Sequence, residues 1–163
     1  MSFSPSDNLK QEVAKLLTHY PEGEQRSASL MVLHAIQSEA GYISKEAMQW
    51  AADEIGIAPL NLYELVTFYP MLREEQPGKY VLKVCRTLSC ALAGGTDLYK
   101  NLCSKLKLDP KKHVLQTTED KKFSIEFAEC LASCGTGPVM MCNDDFYEAV
   151  DNAKTDEILE GCE

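Results

Sequence analysis

No Gly-x-Gly-x-x-Gly turn and no Gly-x4-Gly-Lys-Ser/Thr loop occurs in the 163 residues, so nucleotide binding by this chain itself has no support. No two cysteines are separated by two residues, which removes the Cys-x-x-Cys motif of thiol-disulfide enzymes. No run approaches the roughly 18 apolar residues of a membrane span. The start, Met1-Ser2-Phe3-Ser4-Pro5-Ser6-Asp7, lacks the basic stretch and apolar run of an export signal. The expectation is a soluble cytoplasmic protein with no direct membrane insertion. Basic residues are also short: 16 Lys and Arg stand against 25 Asp and Glu, a net charge of -9. That balance argues against nucleic acid, whose phosphates demand a basic footprint, and against an anionic lipid surface, while leaving a protein partner with a basic patch compatible. The three histidines, His19, His34 and His113, are scattered, and no Ser-His-Asp or Cys-His pairing is visible. Independent bond-making catalysis by this chain is not indicated.

What the chain has is length enough for a core, an ordinary 45% hydrophobic content and seven cysteines. Without an export signal a disulfide framework is disfavoured, because cytosolic thiols are kept reduced. Metal binding becomes the leading use.

The first seventy residues read as helices. Leu9, Val13, Leu16 and Leu17 recur at helical spacing, and Tyr20-Pro21-Glu22-Gly23 breaks the pattern. A second helix is predicted from Glu24 to Ala40, ending at Gly41; Ser44 caps a third that runs to Ile55; Pro59 opens a short fourth through Leu62, Leu65 and Val66. Gln76-Pro77-Gly78 is the clearest punctuation, and the domain boundary is placed there, with a helical region over 1–76 and a second domain over 77–163. The second domain reads as a strand from Tyr80 to Cys85, a helix opened by Gly94-Gly95-Thr96, and a lysine-rich connection after Asp109-Pro110. Strands from Phe123 to Glu129, Pro138 to Cys142 and Phe146 to Val150 follow, and a helix from Thr155 to Glu160 closes the chain. The class is α/β (α+β): an N-terminal helical bundle, then a thioredoxin-like domain with a four-stranded sheet.

Four of the cysteines form two close pairs, Cys85-x4-Cys90 and Cys130-x3-Cys134, each in a loop directly after a strand-like run. If the two strands are neighbours, the four sulfurs converge at one end of the sheet. A [2Fe-2S] cluster needs two thiolates per iron, and two loops that each supply a pair match that need. Small residues around them, Ala91, Ala93, Gly94 and Gly95 after the first pair and Gly135, Thr136 and Gly137 after the second, let backbone N–H groups approach the sulfurs. Structural zinc held by four cysteines, in an interaction module without redox activity, is the rival use of the same thiols. Cys103, Cys142 and Cys162 read as packing or exposed thiols and receive no role. His34 lies on an apolar helical face, where a satisfied core histidine is commoner than a ligand.

The order of a helical region, Leu65-Val66-Thr67-Phe68-Tyr69, Cys85-x4-Cys90, and Glu129-Cys130-x3-Cys134 followed by Gly137-Pro138-Val139 resembles the family of the 24-kDa subunit of respiratory complex I, the NADH-quinone oxidoreductase of bacteria. The resemblance covers about residues 8–160. It implies a thioredoxin-like [2Fe-2S] ferredoxin domain with Cys85, Cys90, Cys130 and Cys134 as ligands, the first two on one iron and the last two on the other. It also implies a flavin-bearing partner that holds FMN and binds NADH, further subunits of the complex, and a place on the cytoplasmic side of the inner membrane. The helical region is then a docking element as well as a support. Small subunits of NAD-linked hydrogenases and formate dehydrogenases are similar in these motifs and are the alternative reading.

Overall fold

Ser6 opens the first helix, α1 (Asp7–Leu17), by accepting a hydrogen bond from the Leu9 amide on its hydroxyl. This satisfies one of the N–H groups that every helix start leaves unpaired. The computed structural model describes residues 3–163 and divides into two units, one ending at Gln76 and the other running Pro77–Glu163.

In the first unit α1 is followed by a 3-10 turn (Gln25–Ala28), then α2 (Ser29–Ala40), α3 (Lys45–Ile55) and α4 (Pro59–Phe68). The single helix expected from Glu24 to Ala40 is therefore two pieces. The Ser29 hydroxyl donates to the Arg26 carbonyl at 2.6 Å and the Ser27 amide to Glu24 at 3.0 Å, so the chain is wound tighter there than an α-helix. Gly41 and Gly56 end α2 and α3 in the left-handed region, with φ of 81° and 79°, where a side chain would be strained. Ser44 caps α3 by accepting from the Ala47 amide. Leu9, Val13, Leu33, Ile36, Ile43 and Leu62 form the centre of a core between the four helices, each worth about 1.5–3 kcal/mol when buried. His34 is not in that core. The buried face of α2 runs through Val32, Leu33, Ala35 and Ile36, which leaves His34 exposed on the other side.

The second unit is built on a sheet in the order β2-β3-β1-β4-β5. Its strands are β1 (Tyr80–Cys85), β2 (Gln116–Thr117), β3 (Phe123–Ala128), β4 (Met140–Cys142) and β5 (Asp145–Tyr147). β1 and β3 are parallel, joined by a crossover that contains α5 (Leu88–Leu92) and α6 (Gly95–Leu106); the other pairings are antiparallel. α7 (Asn152–Glu160) closes the unit, with the Asp151 carboxylate accepting from the Lys154 amide at its start. Leu98, Tyr99, Leu102 and Cys103 of α6 pack with Leu82, Val84 and Ile125 of the sheet.

The sheet has five strands rather than the four expected. β2 is two residues long and polar, and is held by the Thr117–Ser124 hydroxyl contact at 2.7 Å and by Gln116, which bonds Asp109 and Lys112; it has no apolar alternation to reveal it. The last strand begins at Asp145 and ends at Tyr147, short of Val150, because Ala149 turns into the left-handed region at φ 48°.

Candidate metal centre

β1 and β3 run in step, with Cys85 opposite Ala128, so the loops that follow them leave the sheet at the same end. This is the end at which open α/β sheets place their sites. The Arg86 amide continues the ladder to the Ala128 carbonyl at 3.0 Å. Its guanidinium pairs with Glu129, Nε to Oε1 at 2.9 Å, and so ties the two loops together at the point where they diverge.

Cys85 is buried at the end of β1, and its amide donates to the Val139 carbonyl at 3.1 Å. The Thr87 hydroxyl lies 3.2 Å from its sulfur. Cys90 is carried inward on α5 and is equally buried. Two glycines permit this packing. A Cβ at Gly95 would stand 2.8 Å from the Cys90 carbonyl oxygen and 2.9 Å from that of Cys85; one at Gly137 would stand 3.4 Å from the Cys90 sulfur.

The second pair is exposed. Ala132 adopts φ 63°, and its amide donates to the Cys130 sulfur at 3.4 Å. Cys134 starts a 3-10 turn (Cys134–Thr136). Both hydroxyls that flank it, Ser133 and Thr136, donate to the Glu148 carboxylate, Thr136 at 2.5 Å. Those two bonds hold the Glu148 carboxyl below the ordinary carboxylate range.

The thiols of the first pair are not alike. Burial pushes Cys85 up, but the Thr87 hydroxyl, the Leu131 and Thr87 amides and the Cys90 thiol outweigh it, and the net direction is down. Burial pushes Cys90 up, the thiol hydrogen bond it shares with Cys85 adds to that, and the Val139 amide opposes it. Leu131 of the second cysteine loop packs against the buried cluster of Cys85, Cys90 and Val139, so one loop covers the sulfurs of the other.

The donor set is four thiols attended by backbone amides, the chemistry an anionic iron–sulfur group requires. The thiols stand as a buried pair and an exposed pair on separate loops, a donor set of the kind a two-iron, two-sulfide group takes.

The family model of the thioredoxin-like [2Fe-2S] ferredoxin matches residues 13–163. The chain belongs to that family. Over 154 residues it is 36% identical to a subunit of the NADH-quinone oxidoreductase of Rickettsia conorii, covering 94% of this chain and 88% of that protein. It is 37% identical over 150 residues to the mitochondrial NADH dehydrogenase [ubiquinone] flavoprotein 2 of Dictyostelium discoideum, covering 91% of this chain and 59% of the longer relative. Among solved structures, an NAD+-reducing [NiFe]-hydrogenase in the air-oxidized state shares the fold with a TM-score of 0.72 at 19% identity, over 88% of this chain and 24% of that one.

For a thioredoxin-like [2Fe-2S] ferredoxin, the cysteine spacing locates the two loops but not what attends them. α5 stands where the sequence shows only loop, since Leu88-Ser89-Cys90-Ala91-Leu92 is too short to display a helical period. Thr87, Leu131 and Glu148 carry no sequence signal: Leu131 is one apolar loop residue packed against the first pair, Thr87 acts through a common hydroxyl, and Glu148 from a different strand connection. Cys103 lies buried on α6 and Cys142 and Cys162 lie buried beside one another, all outside the four-cysteine set.

Proposed function

We propose that Cys85, Cys90, Cys130 and Cys134 hold the family's [2Fe-2S] cluster, Cys85 and Cys90 on one iron and Cys130 and Cys134 on the other, and that the chain works as the electron-transfer subunit of the 24-kDa kind in an NADH-quinone oxidoreductase of the complex I type. The observation that carries the reading is the in-step parallel pairing of β1 and β3, which delivers both cysteine pairs to one end of the sheet, with Leu131 of the second loop packed against Cys85 and Cys90 of the first. When bound, such a cluster takes up and returns one electron at a time. The chain's own part is to hold four thiolates, to aim N–H groups at their sulfurs and to shelter one pair. Amide donors favour added negative charge on the site, and the exposed pair leaves one side open to a neighbouring protein.

The chain is a subunit of a multisubunit complex. Its immediate partner in this reading is a flavin-bearing, NADH-binding protein that holds FMN; hydride chemistry belongs to that flavin and not to this chain. Leu88 and Leu92 of α5 are 75% and 80% exposed, on the element that carries Cys90, and supply an apolar surface for such a partner. Among the described residues no helix is long and apolar enough to cross a membrane. A peripheral position on the cytoplasmic side of the inner membrane agrees with that. A small subunit of an NAD-linked hydrogenase or formate dehydrogenase would use the same cysteines; identity to the Rickettsia protein over most of its length favours the complex I assignment.

Iron and acid-labile sulfide per chain, measured on anaerobically purified protein together with an EPR spectrum after reduction, test the reading. About two of each with a half-integer-spin signal are expected. Zinc without sulfide would turn the four cysteines into a structural clamp.

A further inference from the structure

Two cysteines outside the cluster site lie side by side. Cys142 ends β4, Cys162 follows α7, and their sulfurs are 3.8 Å apart, both buried. The Cys162 thiol also donates to the Ile158 carbonyl at 3.2 Å, which holds its sulfur against Cys142. The pair lines a pocket of 260 Å³ together with Tyr80, Asn143, Asp145 and Lys154. A water molecule occupies about 30 Å³ of liquid, so a small peroxide has room to enter. Cys142 is paired with Leu82 across β1 and β4, three residues before Cys85, which is about 10 Å along the strand.

We propose that Cys142 and Cys162 are a dithiol that hydrogen peroxide oxidises to an intrachain disulfide, a modification site separate from the four-cysteine centre. The Cys162 sulfur attacks one peroxide oxygen, the O–O bond breaks, and a sulfenic acid forms as the first water leaves. The Cys142 sulfur then displaces the sulfenic oxygen, which departs as the second water with the remaining thiol proton. Two thiols are oxidised by two electrons, and one peroxide is reduced to two waters. Burial and the neighbouring Cys162 push the Cys142 thiol up to about 12, which leaves it the poorer nucleophile for the first attack, so that attack is assigned to Cys162. Bond formation needs the sulfurs to close by about 1.8 Å to reach the disulfide length, a movement within reach of side-chain rotation. The bridge would tie the end of α7 to the strand beside β1.

The test uses the full chain with its cluster, treated anaerobically with graded hydrogen peroxide, quenched with catalase, denatured in N-ethylmaleimide and mapped by mass spectrometry. The expected result is a linked pair of peptides carrying Cys142 and Cys162, lighter by two hydrogens than the separate peptides, formed while the visible spectrum of the cluster persists and reversed by dithiothreitol. Cys103→Ser should leave the link intact and Cys162→Ser should abolish it. Recovery of Cys142 and Cys162 as separately alkylated residues would overturn the proposal, as would linkage seen only after the cluster has been lost.

Discussion

Cys85 stands opposite Ala128 across the parallel β1–β3 pair, and Cys130 follows only two residues beyond that partner. The register therefore sets how the two cysteine loops meet. A one-residue slip would reverse the faces of β3, expose Ile125 and move Leu131 away from Cys85, against which it packs. The position of the site is a property of the sheet before it is a property of the loops.

Serine in place of each cysteine of the two pairs separates ligands from bystanders. Cys85→Ser, Cys90→Ser, Cys130→Ser and Cys134→Ser are each expected to lose most of the iron and sulfide or to shift the reduced EPR signal, whereas Cys103→Ser should leave both unchanged. An unaltered spectrum in Cys130→Ser or Cys134→Ser would remove that residue from the ligand set.

Gly95 tests the packing under the first pair. An added Cβ meets backbone oxygens of Cys90 and Cys85 at 2.8 and 2.9 Å, and backbone on both sides has little freedom to retreat. Gly95→Ala is expected to cost about 1–3 kcal/mol in chemical denaturation and to lower iron retention. Gly135→Ala, where nothing lies within 4 Å, is the matched control and should be close to neutral. Equal stability of the two variants would contradict the close approach.

What the sequence reveals of this fold depends on periodicity. Leu9 and Val13, the caps at Ser44 and Gly41, and the apolar runs of β1 and β3 announce their elements, because burial of one face imposes a repeat on the sequence. β2 and α5 are too short to carry a repeat, and the break at Ser29 depends on one side-chain hydrogen bond. The cysteine spacing marks the candidate site, but the Ala132 amide at the Cys130 sulfur leaves no trace in the sequence, since any residue type except proline supplies an N–H.

The Arg86–Glu129 pair joins the two loops, yet both side chains are largely in water, at 48% and 64% exposure. A double-mutant cycle with Arg86→Met and Glu129→Gln is expected to give a coupling below about 1 kcal/mol. The coupling should shrink further as added salt shortens the Debye length below about 10 Å. A larger, salt-insensitive value would mean that the pair is a structural strut rather than a solvated contact.

Tyr99 makes the pH dependence of the second unit testable. It is buried, stacked on Phe127 at 3.8 Å between centroids, and donates from its hydroxyl to the Lys112 carbonyl at 2.7 Å. Burial, against an opposing hydrogen bond from Gln116, raises its pKa from 10.0 to about 12. The acid form is the neutral one, so above pH 10 the unfolded chain loses this proton while the folded chain keeps it. Stability from this group is thus complete below pH 10 and falls as pH rises toward 12. Tyr99→Phe deletes the titration and also the bond to Lys112, a loss of about 0.5–1.5 kcal/mol at neutral pH. Urea unfolding of both proteins between pH 8 and pH 11.5 (roughly the window of the shift) should show the wild type ahead at the low end and the gap closing as pH rises. Cys142, also raised by burial, weakens both proteins together and drops out of the difference; Cys103 shares a hydrogen bond with Tyr99, so both proteins carry Cys103→Ser. A gap that stays constant across the range would mean that the Tyr99 phenol ionises as readily in the folded chain as in the unfolded one.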